Sequence, residues 1–218
     1  MRAGAETRSL SGSYRLRFQC DEKDNGTERP VALTAMSPGD SGVWFFICAD
    51  IMMFAVFFCL FITSRAREVE VFGHSRRLLH SVFGLFDTVF LLTSSWLVVQ
   101  AVNRARVGCR EGTSRYLSLA ILVGIGFAVS KIVEYTHEVL GGITLQTNDF
   151  FMYYYVFTGI HFLHFWGGIV ALSIMLGKTR QDPLDARYVT WLESVASYWH
   201  MVDLLWVMLF PLLYLLRG

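Results

Sequence analysis

Residues 150–176 read FFMYYYVFTGIHFLHFWGGIVALSIML and contain no Asp, Glu, Lys or Arg. A helix needs about 20 apolar residues to cross a bilayer core of roughly 30 Å. In lipid the backbone N–H and C=O groups find no water, so a crossing segment must satisfy them internally, as a helix does. Four other runs have the same character, at 43–63, 82–102, 116–139 and 195–216. The 218 residues are 54% hydrophobic and only 17% charged, with a mean hydropathy of +0.43. The expected fold is therefore all-α, a polytopic integral membrane bundle of five transmembrane helices.

Basic residues orient the bundle. The segments 1–42, 103–115 and 177–194 carry thirteen Lys and Arg, whereas 64–81, 140–149 and the C-terminus carry five. By the positive-inside rule the N-terminus is expected in the cytoplasm and the C-terminus outside. Residues 1–36 are polar and lack an apolar signal core, which predicts a disordered tail ahead of a membrane domain at 37–218. Met36, just before the turn residues Ser37, Pro38, Gly39 and Asp40, is a candidate translation start. Gly141 and Gly142 are expected to break the chain after the third span, Asn148 and Asp149 to cap the fourth, and Asp182 and Pro183 to turn into the fifth. Cys20, Cys48, Cys59 and Cys109 show no ligand spacing, so no metal site is expected, and the cysteines read as small apolar fillers.

Ionisable side chains inside a span cost about 2.5–3.5 kcal/mol on insertion scales and face the bundle interior with partners. Here they are Asp50, Asp87, Lys131, Glu134, His137, Glu138, His161, His164, His200 and Asp203. Depth along the helices predicts an inner cluster of Asp50, His164, His200 and Asp203, with His161 a turn farther out. Lys131, Glu134 and Glu138 share one helix face, and Lys131 is expected to form an ion pair with Glu134 or Asp87. His161 and His164 stand three residues apart on one helix and cannot grip one haem iron from both sides. They read as interhelical hydrogen-bonding groups, helped by the close approach that Gly167 and Gly168 permit. The aromatics at 150–155 are expected as one interfacial belt, and Tyr188 with Trp191 as the other. Arg104 and Arg106 would attract anionic lipid head groups. No nucleophile–base set, phosphate loop or nucleic-acid feature is visible, so no catalytic residue is assigned.

Five blocks carry a resemblance: PGDSGVWFFICADIMMFAVFF at 38–58, LLTSSW at 91–96, KIVEY at 131–135, TNDFFMYYYVFTGIHFLH at 147–164 and YWHMVDLLWVMLFPLLYL at 198–215. Over residues 38–217 the chain resembles subunit III of haem-copper oxidases in its five-helix form. It looks most like the nitric oxide reductase accessory proteins of the NorE type, since oxidase subunits usually carry Gly at the position of Phe162. The resemblance implies a non-catalytic multi-pass subunit in a bacterial-type inner membrane, with no cofactor of its own. It further implies bound phospholipid, a catalytic haem-copper partner and support of proton uptake. Asp50, Glu134, His161, His164, His200 and Asp203 fall on the family's interior polar positions. Two rivals remain on the residues alone: a haem-bearing electron carrier using His164 and His200, and an independent proton or ion carrier built on Asp50, Lys131 and Glu134.

Overall fold

A computed structural model of the chain describes residues 41–78, 81–181 and 184–215. The tail at 1–36, the turn at 37–40 and the pair Asp182 and Pro183 lie outside the described residues. The elements are α1 (Ser41–Arg67), α2 (Val69–Leu78), α3 (Ser81–Arg106), α4 (Arg110–Leu140), α5 (Asp149–Gln181) and α6 (Ala186–Phe210), which passes into a π-helical turn at Pro211–Leu215. Five of them are long and apolar enough to cross a membrane, and no strand occurs among the described residues. The chain is a multi-pass membrane protein.

Each crossing helix outruns its apolar stretch. At about 1.5 Å per residue the five are roughly 38–50 Å long, against a core of roughly 30 Å. Arg65 and Arg67, Arg104 and Arg106, and Lys178 and Arg180 all sit in last turns, where they complement the helix dipole. An apolar run therefore ends where lipid ends, whereas a helix ends where its caps are. α6 begins at Ala186, nine positions before the apolar run, because Asp185 caps it by accepting a bond from Tyr188 N at 2.7 Å. Asn148 caps α5 in the same way, accepting from Phe151 N at 3.0 Å. α2, a short helix inside the expected loop 64–81, has no counterpart in the apolar pattern.

α3 packs along both α4 and α6, α5 lies against α4 and α6, and α1 and α2 add to the edge over α5 and α6. Between helices in lipid the hydrophobic effect is weak, so van der Waals packing and hydrogen bonds hold them together. The contacts are accordingly aromatic: Phe127, Phe165, Trp199 and Trp206 are fully buried at the centre. Gly168 makes the α5–α6 contact possible, since a Cβ there would lie 2.5 Å from Trp199 Cε3. Gly142 turns the chain out of α4 with φ +79°, a left-handed conformation that costs other residues about 1–2 kcal/mol. Cys48 and Cys59 face outward rather than filling the interior.

Candidate functional site

The interior polar groups fall into three clusters. The deepest surrounds Lys131 of α4, which is 1% exposed. Its Nζ lies 2.5 Å from Glu134 Oε2, one turn along the same helix, and 2.9 Å from Asp87 Oδ2 of α3. The second contact is ionic without hydrogen-bond alignment. The ammonium also stands 4.5 Å from the centre of the Trp206 ring and 3.3 Å from Tyr214 Oη. Tyr214 donates to Glu134 Oε1 at 2.6 Å, so this carboxylate is held from both sides. Trp206 is oriented in turn by its Nε1–H, which donates to Thr88 Oγ1 of α3 at 3.1 Å. Glu138, a turn beyond Glu134, is buried with Tyr154 and Tyr155 of α5 beside its carboxylate. Four helical elements thus meet on one amine.

The second cluster joins α1, α5 and α6. His164 Nε2 lies 3.0 Å from Asp50 Oδ1, and its Nδ1 is 2.8 Å from the carbonyl of Ile160. A carbonyl only accepts, so Nδ1 carries a hydrogen, and one further proton is shared along the Nε2–Asp50 axis. Tyr198 of α6 donates to the carbonyl of His164 at 2.9 Å, across the gap that Gly167 leaves open. In the third cluster His200 Nδ1 is 2.5 Å from Ser95 Oγ of α3. Asp203 lies beside Ser95, yet neither of its oxygens has a hydrogen-bond partner among the described residues.

The expected inner cluster of four is therefore two separate pairs. Tyr198 and His200 differ by about 200° around α6 at 100° per residue, so they face different neighbours. Depth alone brings Asp50, His164, His200 and Asp203 to one level, but azimuth divides them. His161 also departs from the hydrogen-bonding reading. It is fully buried, edge-on to Phe127 at 5.7 Å and tilted against Trp206 at 5.3 Å, and neither ring nitrogen has a partner among the described residues. His137 is exposed near the end of α4. Arg106 pairs with Glu193 of α6 at 2.8 Å, and Arg104 is half-buried.

The aromatic belt is corrected as well. Phe150, Phe151 and Tyr154 are buried, with Phe150 packed on Phe61 and Phe72, and Tyr153 bonds Ser64 of α1 at 2.8 Å. Tyr188 is buried on Thr179 at 2.5 Å, while Trp191 remains exposed beside Lys178. The sequence does not single out Tyr214, Trp206 or Ser95, and it places Tyr154 in the interfacial belt rather than beside Glu138. The available signal was chemical: a buried Tyr or Trp carries a polar end that needs a partner. No group of three or more His, Cys, Asp or Glu is placed to hold a metal among the described residues. His164 and His200 each have their own partner rather than facing a common centre.

A five-helix membrane bundle whose helices are cross-linked by interior ionic and hydrogen-bonded groups is the class defined by this geometry. Within that class the chain belongs to the cytochrome c oxidase subunit III family, whose sequence model matches residues 31–217. Among curated proteins it is 29% identical over 192 residues to the cytochrome c oxidase subunit 3 of Corynebacterium diphtheriae, covering 87% of this chain and 94% of that one. The probable cytochrome c oxidase subunit 3 of Mycobacterium leprae is 28% identical, covering 88% and 94%. The quinol oxidase subunit 3 of Bacillus subtilis is 27% identical over 181 residues, covering 80% and 85%.

Proposed function

We propose that this chain is a non-catalytic subunit of a respiratory haem-copper enzyme in a bacterial plasma membrane. The observation that carries this reading is the family match over residues 31–217. The geometry agrees with it in kind. The interior ionisable groups fix one helix against another, and large apolar side chains such as Phe45, Met52 and Leu163 cover the outside, at 70% exposure or more. Such an exterior suits lipid and the helices of a partner subunit. Asp50 with His164, His200 with Ser95, and Glu134 with Tyr214 act here by positioning helices, and the chain supports assembly, lipid binding and proton uptake of its partner. Phospholipid head groups meet Arg104 and Arg106 at the basic end of the bundle, where Arg106 is steadied by Glu193.

A tagged chain purified from native membranes in mild detergent is expected to bring down a haem-containing partner that consumes oxygen. Failure to recover any haem protein, or a Soret band that stays with the isolated chain, overturns the reading. A second reading, an accessory factor of nitric oxide reductase, rests on Phe162. Its ring stacks parallel to Phe165 at 5.9 Å and meets Trp166, filling the space that Gly would leave. Nitric oxide consumption by the purified complex, in place of oxygen consumption, would favour it.

A further inference from the structure

The Lys131 cluster has an unequal charge inventory. Asp87, Glu134 and Glu138 bring three carboxyls, all at most 5% exposed, against the single ammonium of Lys131. Among the described residues, the other neighbours add no cation that balances them. From α5 come the Tyr154 and Tyr155 hydroxyls and His161, from the π-helical turn comes Tyr214, and Tyr135 of α4 donates to Thr158 at 2.6 Å. His161 is enclosed between Phe127 and Trp206 without a partner for either nitrogen among the described residues, so a charge there would be unsupported. Two uncompensated anions in a lipid-embedded interior would each cost several kcal/mol.

The cluster is also a continuous polar path with one closed end. Glu138 stands two residues before the end of α4, next to the turn at Gly141 and Gly142. Tyr154 lies beside it, Tyr154 and Tyr214 hydroxyls are 3.5 Å apart, and Tyr214 leads to Glu134, Lys131 and Asp87. Beyond Lys131 stand Phe127, Phe165 and Trp199, packed at ring separations of 4.9 and 5.6 Å. This aromatic layer parts the cluster from the Asp50 and His200 groups.

We propose that Asp87, Lys131, Glu134 and Glu138 form a buried proton-binding site that holds two exchangeable protons, reached along the tyrosines from the end of the bundle bearing residues 141–148. The inference concerns the interior of this chain and stands whichever enzyme the chain serves. The number of protons is the number of carboxyls minus the number of ammonium groups, and every substitution that changes this difference changes it by one.

The full-length chain in lipid nanodiscs, measured by infrared spectroscopy at neutral pH, tests it. The protonated-carboxyl C=O band should shift in D2O, and Asp87→Asn and Glu138→Gln should each remove the same area from it. Those losses each equal about half of the cluster's contribution by the charge-balance count, and Lys131→Met should add an equal area. Tyr214→Phe changes no charge and should leave the area unchanged. Should Lys131→Met fail to fold, the two acid substitutions decide alone, because each removes a neutral carboxyl and leaves the Lys131–Glu134 pair in place. A band that neither acid substitution reduces, or that does not exchange with D2O, overturns the proposal.

Discussion

At the scale of single residues, the energetics are those of charge and hydroxyl groups withheld from water. Lys131 and Glu134 are 2.5 Å apart and almost wholly buried, so each defines the environment of the other. Lys131→Met should destabilise the chain more than the double substitution Lys131→Met with Glu134→Gln, because the single change leaves Glu134 buried without its ammonium partner, so that it must take up a proton. The coupling expected from a double-mutant cycle in contact is about 0.5–3 kcal/mol, read from thermal melts in detergent. Tyr214→Phe leaves Glu134 Oε1 without its donor and should cost about 1–3 kcal/mol. Tyr153→Phe loses a bond to Ser64 that is only part-buried, and it should cost less in the same assay. That ion pair was legible in the sequence, since i, i+3 spacing on a helix sets both groups on one face. Tyr214 and Trp206 were not legible, because nothing in a run of apolar residues tells which aromatic will meet a charge eighty positions away.

Among the elements, helix separation is set by the smallest residues and helix attachment by the polar pairs. A Cβ at Gly168 would meet the Trp199 ring at 2.5 Å, and the ring is itself fixed by Phe165. Gly168→Val should therefore force α5 from α6 and cost about 1–3 kcal/mol through overpacking, seen as a lowered melting temperature. Gly159→Val, at an open position, should melt close to the parent. α1 is attached to α5 by Asp50 and His164 and by rings such as Phe57 on Phe157 at 5.8 Å. His164→Leu leaves Asp50 with no partner in lipid, so α1 should loosen. A disulfide trap between cysteines placed at Phe57 and Phe157 should form more slowly in that variant than in the parent background. Helix number and rough position followed from apolar length. The helix ends did not, because caps such as Asp185 and Asn148 lie in polar sequence beyond the membrane-length signal.

For the whole molecule, the basic residues fix the expected orientation, and it is open to direct measurement. Leu145 in the loop after α4 and Val107 in the loop after α3 are 48% and 69% exposed at opposite ends of the bundle. Introduced as cysteines, position 145 should react with a membrane-impermeant thiol reagent in intact cells and position 107 only after lysis. The reverse pattern would invert the topology. By itself the sequence determined a five-span helical membrane protein, because length and apolarity in lipid leave the backbone no other structure. It also brought together Lys131 and Glu134, which share one helix and needed no knowledge of packing. Only the tertiary structure decided which groups from different helices meet. It set Asp50 with His164 and His200 with Ser95, enclosed His161 among aromatic rings, and gathered Asp87, Trp206 and Tyr214 around Lys131. The reason is geometric: a sequence gives each residue's depth along its own helix, whereas partners depend on helix rotation, which interhelical packing fixes.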